Sequence, residues 1–379
     1  MADLLRQEIV TAAQTVVVKV GTRVLTHSDG TLNQERIAAL AEELSKLVEG
    51  KRKVALVSSG AVGAGMSVLK LAKRPTDLAH LQAVAAIGQA KLMEAYDRHF
   101  RPHGRHAAQL LLTAGDFDDR TRYLNVRNTI LKLLEIGAIP IINENDTVAV
   151  DELMATFGDN DRLAAMVTSL IRAPLLVILS DIQGLYDGDP GLPESKIVHT
   201  VTKLDETVLG YVRDKKTGLS KGGMASKLNA ARIVTTAGEN MIIASGREPG
   251  MLARIFAGEE VGTLFVAQGR MITPWKRWLG FSTYPRGRML VDKGALEAVR
   301  LQGKSLLAAG IRTVEGDFQK GDVVALCDID GKEFARGLSN YSAGDAEKIK
   351  GLKSAQIAEV LGHRPYEEVI NRDNMVVFE

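Results

Sequence analysis

Short apolar runs alternate with longer amphipathic stretches from Thr15 to about Gln268. The runs Val16 to Val20, Lys53 to Val57, Ala107 to Leu112, Ala138 to Ile142, Leu175 to Leu179 and Met241 to Ala244 are too short for helices and nearly continuous in apolar character. Strands buried on both faces of a parallel sheet read this way. Between the first two runs the period changes: Ile37, Leu40, Ala41, Leu44, Leu47 and Val48 form one helical stripe, and Thr31 with Gln34 predicts a capping box at its start. A second stripe, Leu163, Met166, Val167, Leu170 and Ile171, follows the polar phrase Gly158-Asp159-Asn160-Asp161. Strands alternating with helices predict an α/β fold with an open, mainly parallel sheet sandwiched by helices.

The texture changes near Arg270. Met271 to Arg288 holds both tryptophans, two prolines and the basic pair Lys276-Arg277, and beyond it turn signals such as Gly316-Asp317, Gly321-Asp322, Asp330-Gly331 and Ser342-Ala343-Gly344-Asp345 become frequent. Strand-like Arg288 to Val291, Asp322 to Asp328 and Glu333 to Leu338 lie between these turns. The expected organisation is a catalytic domain over 1–269, a linker over 270–287, and a small β-rich domain with a C-terminal tail over 288–379.

Length and composition agree with two folded domains: 379 residues, 45% hydrophobic and 25% charged. The formal net charge of +2 gives no whole-chain argument for a nucleic-acid or membrane partner, although a local basic face stays open. Cys327 is the single cysteine, so no intrachain disulfide forms, and a reducing compartment fits. Met1 to Gln14 carries Asp3, Arg6 and Glu8 and does not read as a secretory signal; no apolar stretch reaches membrane-spanning length. A soluble, cytoplasmic protein with no membrane partner is expected.

Two acid-and-amide clusters carry the chemistry. Asp159, Asn160 and Asp161 fall at the start of a helix, where one capping residue would suffice. Asn143-Glu144-Asn145-Asp146 follows the strand-like run Ala138 to Ile142, so together they mark a site. Lys19 leaves the first strand into Gly21-Thr22, at the strand end where open parallel sheets bind ligands. Ser58-Ser59-Gly60-Ala61-Val62-Gly63-Ala64-Gly65 reads as a glycine-rich turn whose amides suit a phosphate or carboxylate, without dinucleotide-fingerprint spacing. Lys221-Gly222-Gly223-Met224-Ala225-Ser226-Lys227 opens another helix and suits a polyphosphate. Ser180-Asp181 follows the strand Leu175 to Leu179, where a nucleotide base or ribose would rest. A Walker A loop is absent, because Ala298 stands where Gly303-Lys304-Ser305 would need its first glycine; the histidines form no zinc pattern, and no Gly-x-Ser-x-Gly elbow occurs.

Two lysines at glycine turns and clustered carboxylates and carboxamides suit phosphoryl transfer, where positioning and charge neutralisation dominate. A hydroxyl acceptor would need a base. A carboxylate acceptor, with a pKa of about 4, would not.

Val17-Val18-Lys19-Val20-Gly21-Thr22, Val57-Ser58-Ser59-Gly60-Ala61, Ile142-Asn143-Glu144-Asn145-Asp146, Gly158-Asp159-Asn160-Asp161 and Gly222-Gly223-Met224-Ala225-Ser226-Lys227, in that order, resemble the glutamate 5-kinase family of the amino acid kinase superfamily. From Arg288 onward, Val291-Asp292-Lys293-Gly294-Ala295, Lys304-Ser305-Leu306-Leu307 and Gly337-Leu338-Ser339-Asn340-Tyr341-Ser342 are similar to the PUA domain appended to many bacterial members. The resemblance implies ATP-dependent phosphorylation of the γ-carboxylate of L-glutamate, the first step of proline synthesis. It implies that Lys19 and Lys227 neutralise the transferring phosphoryl group, with Asp161 orienting both. Ser59, Asp146 and Asn160 would hold glutamate near the Gly60 amide, and Lys19, Ser180, Asp181 and Lys221 to Lys227 (Lys221, Gly222, Gly223, Met224, Ala225, Ser226, Lys227) would contact ATP. Mg2+ would arrive on the nucleotide phosphates, with no dedicated protein metal site. Feedback inhibition by proline, a homo-oligomer (dimer or tetramer) and a glutamyl phosphate reductase partner are further implications. The chain departs from the family at Arg23, where a small residue is common, and at Lys221, where a small residue or threonine is frequent. Both add positive charge near the expected polyphosphate. Two rival readings stay open: another superfamily phosphotransferase, acting on aspartate, acetylglutamate, carbamate or a nucleoside monophosphate, and an RNA-binding protein acting through the PUA-like tail. The near-neutral charge weighs against RNA.

Overall fold

The computed structural model describes residues 3–27, 29–148, 160–211, 223–268, 279–280, 284–362 and 366–378. The chain folds as two compact units, Met1–Arg270 and Met271–Glu379. Most of the expected linker lies outside the described residues, as do Gly158, Asp159, Lys221 and Gly222.

The strands of the first unit are β1 (Thr15–Val20), β2 (Lys53–Ser58), β3 (Ala107–Leu112), β4 (Ile139–Glu144), β5 (Leu175–Ser180), β6 (Thr200–Val201), β7 (Asn240–Ser245) and β8 (Thr263–Phe265). They form one sheet in the order β3-β4-β2-β1-β5-β7-β8-β6. Every pairing from β3 to β7 is parallel, β7 with β8 is antiparallel, and β8 with β6 is parallel again. The helices are α1 (Leu4–Ala12), α2 (Thr22–Leu25), α3 (Gln34–Glu49), α4 (Ala61–Val68), α5 (Leu78–Phe100), α6 (Ala114–Asp118), α7 (Arg120–Glu135), α8 (Asn160–Ile171), α9 (Glu206–Gly210), α10 (Met224–Thr236) and α11 (Met251–Phe256). α3 and α5 pack together and onto β2 and β3, while α8 packs on β1, β2, β4 and β5 between α7 and α10. Val16, Val18, Leu56, Ile141, Leu175 and Val177 have no exposed surface. Their burial on the order of 25 cal/mol per Å² of apolar surface is what drives the strands together.

Connections leave β1 toward β2 on one side and reach β5 on the other, so the strand order reverses around β1. In open α/β sheets the ligand crevice lies at such a reversal, outside the carboxyl ends of the strands.

Three local readings are corrected. β4 runs on through Asn143 and Glu144, so that half of the first polar cluster belongs to the strand rather than following it. The cap of α3 is Asn33, whose side chain accepts from Arg36 N at 2.8 Å, in place of a Thr31–Gln34 box. Of the glycine-rich stretch after β2 only Gly60 is a turn residue, at φ 112°; Ala61 onward is helical. That helix exists because α4 and α5 touch backbone to backbone. A Cβ at Gly65 would overlap the Val84 carbonyl, and one at Gly88 the Ala61 carbonyl.

The second unit contains β9 (Gly287–Val291), β10 (Ile311–Gly316), β11 (Val323–Cys327), β12 (Glu333–Leu338) and β13 (Met375–Val377), with helices α12 (Lys293–Arg300), α13 (Ala343–Ile349) and α14 (Ile357–Leu361). The sheet order is β10-β9-β11-β12-β13, and β9 with β11 is its parallel pair. Met289, Leu326, Ala335, Ile349 and Ile370 form its separate core.

Candidate active site

The carboxyl ends of β4, β2, β1 and β5 and the first turns of α8 and α10 converge on one group of polar side chains. At its centre is Asp161, fully buried in the first turn of α8. Lys19, near the end of β1, places its ammonium 2.5 Å from Asp161 Oδ1. Lys227, in the first turn of α10, places its own 3.0 Å from Oδ2, and Ser226 Oγ donates to that oxygen at 3.1 Å. Lys19 is 6% and Lys227 4% exposed, so neither is a solvated loop lysine. A lysine is buried with its charge only against a paired anion. Burial by itself would push the Asp161 carboxyl up. The charges and hydrogen bonds of Lys19 and Lys227 outweigh it and hold the carboxyl below the usual carboxylate range. Two ammonium groups on one carboxylate leave a net charge of +1 (two cations less one anion), a place prepared for an anion.

Asn160 precedes Asp161 and, at 3.6 residues per turn, its side chain leaves α8 about 100° away. Its Nδ2 donates to Ser59 Oγ at 2.7 Å, to Asn143 Oδ1 at 3.0 Å and to the Ser58 carbonyl at 3.3 Å. Asn143 Nδ2 in turn donates to Gln89 Oε1 at 2.9 Å. Behind Ser59, the buried Tyr96 hydroxyl and Ser58 Oγ are 2.8 Å apart, and Ser58 Oγ donates to the Ser59 carbonyl at 3.1 Å. Burial pushes the Tyr96 hydroxyl up, so it stays protonated. Gln89 and Tyr96 were not singled out from the sequence, and Ser58 was named only within the glycine-rich stretch; the hint at Gln89, the neighbouring Gly88, acquires meaning once α4 is seen against α5.

Among the described residues the ion pairs of Lys19 and Lys227 are with Asp161. Residues 14–245 match the amino acid kinase family, and residues 287–361 match the PUA domain. A glutamate 5-kinase of Rhodopirellula baltica is 50% identical over 373 residues, covering 98% of this chain and 96% of that one. Glutamate 5-kinases of a Cyanothece strain and of Caldanaerobacter subterraneus are 47% and 46% identical, each across 96% of this chain and 99% and 98% of their own. The chain belongs to the amino acid kinase family.

In this kinase the structure brings the predicted residues together in three groups. Lys19, Asp161, Ser226 and Lys227 form the charged centre. Ser59 and Asn160 meet beside Gly60, which adopts a left-handed conformation at the start of α4. Ser180 and Asp181 follow β5, with Ser180 Oγ donating to Asp181 Oδ1 at 3.3 Å. Gly223 caps α10 without a side-chain bond, and Met224 and Ala225 occupy its first turn, Ala225 exposed. Asp146 stands apart. It lines a cavity of about 250 Å³ with Gln89, Gln109, Glu144 and Thr147, between α5 and the ends of β3 and β4. Burial pushes its carboxyl up to about 6, against the lowering charge of Arg74.

The second departure of sequence from family pattern, Lys221, lies outside the described residues, but Arg23 is visible in α2 and pairs with Asp181. Among the described residues no group of His, Cys, Asp and Glu converges as a metal site.

Proposed function

We infer that the chain transfers the γ-phosphoryl group of ATP to the γ-carboxylate of L-glutamate, giving L-glutamyl 5-phosphate and ADP, the entry to proline synthesis. What carries the reading is the buried Lys19–Asp161–Lys227 cluster beside the Ser59–Asn160–Asn143 cluster in a chain half identical to a glutamate 5-kinase along nearly its whole length.

A γ-carboxylate oxygen of glutamate attacks the terminal phosphorus; the bond from that phosphorus to the bridging oxygen breaks, and ADP leaves with the electron pair. No proton need be removed, because a carboxyl of pKa about 4.3 is already ionised at neutral pH. Accordingly we assign no general base. Lys19 and Lys227 face the transferring group and its neighbouring phosphate oxygens, where negative charge must be neutralised as the nucleophile approaches. Asp161 fixes the separation of the two ammonium groups and accepts no proton. Asn160, Ser59 and the Gly60 amide hold the acceptor, and Asp146, ionised above about pH 6, meets the α-ammonium group. Ser180, Asp181 and the turn from Lys221 to Lys227 hold the nucleotide. With the carboxylates of Asp161 and Asp181 already engaged by cations, magnesium fits as an ion carried on the nucleotide phosphates, where it supplies further charge neutralisation.

Proline as a feedback inhibitor, a dimer or tetramer, a reductase that consumes the labile acyl phosphate, and a cytoplasmic setting belong to the same proposal. Among the described residues no helix is long and apolar enough to cross a membrane. The deciding experiment traps the acyl phosphate with hydroxylamine in the presence of MgATP. L-glutamate is expected to yield the hydroxamate, and aspartate or N-acetylglutamate little. Hydroxamate from another acceptor and none from glutamate would sink the assignment.

A further inference from the structure

The turn after β1 and the residue after β5 meet in a charge pair whose arginine the reaction as described leaves unused. Arg23 Nη1 lies 3.0 Å from Asp181 Oδ2, while Ser180 Oγ occupies the other carboxylate oxygen. The backbone under Arg23 is fixed: Val24 and Leu25 are buried, Gly21 N donates to the Leu179 carbonyl at 3.2 Å, and a Cβ at Gly246 would stand 2.8 Å from the Val24 methyls. The side chains themselves are open, 52% exposed for Arg23 and 25% for Asp181. An ion pair facing solvent in this way adds little to the stability of a fold.

Its place is more informative than its strength. The same turn passes over the Lys19 ammonium, which would lie 3.7 Å from a Cβ at Gly21. Arg23 therefore leaves the chain two residues beyond Gly21, the position that lies beside the Lys19 ammonium. A guanidinium is a planar fork with five N–H donors. Asp181 takes one described hydrogen bond from it, and a fork anchored on a carboxylate along one edge offers its other edge to a second oxyanion. The anchor is itself secure. Burial would raise the Asp181 carboxyl, but the hydrogen bond and charge of Arg23 bring it below the usual carboxylate range, so it is ionised at neutral pH.

We propose that Arg23, anchored by Asp181, is a nucleotide-binding residue whose guanidinium contacts the phosphate oxygens of the bound nucleotide. This rests on the reading of the β1 and β5 ends as the nucleotide half of the site. Asp181 then serves first as the fastener of an arginine, and a third cation joins Lys19 and Lys227 along the polyphosphate.

The test is isothermal titration of the wild type, R23S, R23K and R23Q with the magnesium complex of the β,γ-imido analogue of ATP, with adenosine as a competitor lacking phosphate. R23S and R23Q are expected to bind the analogue about tenfold more weakly, the effect of one exposed charge-assisted contact. R23K should recover part of the loss, adenosine should bind all four proteins alike, and the KM for MgATP should rise without a change in the KM for glutamate. Unchanged analogue affinity in R23S and R23Q overturns the proposal. Equal losses for analogue and adenosine also overturn it, since Arg23 would then act on the nucleoside through Asp181. Titration needs no acceptor, so a wild type that binds the analogue but makes no glutamyl hydroxamate defeats the proposed reaction alone.

Discussion

Replacing Asp161 by asparagine removes the carboxylate that two buried ammonium groups share. Its oxygens lie 2.5 Å from Lys19 Nζ and 3.0 Å from Lys227 Nζ, and its side chain is wholly shielded from water. An amide keeps one acceptor oxygen and turns an NH2 toward a cation. Breaking a buried pair from one side costs about 3–5 kcal/mol, because the partner charge is left uncompensated. For a unit the size of Met1–Arg270, roughly 2–3 °C of melting temperature per kcal/mol gives a fall of about 6–15 °C. The sign with pH follows from the depressed carboxyl of Asp161: its contribution is complete above the unfolded-state value of about 3.9 and is lost as pH falls through the lower folded value. The gap between wild type and variant should therefore be constant from about pH 5 to 8 and close only in stronger acid. Nucleotide supplies the missing negative charge, so saturating MgATP should raise the melting temperature of the variant more than that of the wild type. Differential scanning fluorimetry with and without MgATP reads both effects, and hydroxamate formation should fall at least about a hundredfold. A variant that melts within 2 °C of wild type, or that MgATP stabilises less, would refute the charge argument.

Four further outcomes follow from the geometry. Lys227→Ala should cut the turnover number about a hundredfold or more in steady-state hydroxamate assays, while a pure rise in the KM for glutamate would contradict its place at the phosphoryl group. Asp146 titrates near 6, so kcat/KM for glutamate at saturating MgATP should fall about tenfold per pH unit below that value; Asp146→Asn should lower kcat/KM at pH 8 and flatten the acid limb. Gln89→Met takes away the acceptor of Asn143 Nδ2, and the KM for glutamate should rise about five- to tenfold with that for ATP unchanged, Gln89→Glu restoring most of the loss. Gly88→Ala drives a methyl into the Ala61 carbonyl, and thermal melts should show at least about 1–3 kcal/mol of destabilisation, against near neutrality for Gly210→Ala, where a Cβ meets nothing within 4 Å.

The parallel strands inside the sheet were legible because both faces are buried and apolar, which leaves a continuous run with no alternation to misread; β3, read as buried from the same signal, is a partly exposed edge strand. β6 and β8, at two and three residues, are too short to leave a pattern. α4 was hidden for a different reason: Ala61-Val62-Gly63-Ala64-Gly65 has helix-weakening glycines, and only the partner helix, through Gly88, explains why glycine is needed there. The site was legible residue by residue but not as contacts. Asn160 reaches Ser59 across 101 residues of sequence and Arg23 reaches Asp181 across 158. Those distances collapse only when β1 sits between β2 and β5, and strand order of that kind is a property of packing, not of any local run. Arg23 illustrates the point: in sequence it was an extra positive charge near the expected polyphosphate with no partner named, and the neighbouring strand supplies one in Asp181.

That order also shows how, on the proposed roles, one helix turn would serve two substrates. Asn160 and Asp161 are consecutive, yet the turn of α8 sends the first toward Ser59 and Asn143 and the second toward Lys19 and Lys227. The proposed acceptor clamp and charge organiser thus belong to one helix turn. α8 is buried almost throughout, from Leu163 to Ile171, so it cannot slide along the sheet without repacking side chains on both faces. When the acceptor is already ionised, proton transfer contributes nothing, and what the protein supplies is placement of the carboxylate oxygen against the phosphorus; well-placed reactants gain up to about 7–11 kcal/mol over the same reactants in solution. Substitutions that tilt α8 should therefore raise the KM for glutamate and lower turnover together, whereas those confined to Asn160 or to Lys227 should separate the two.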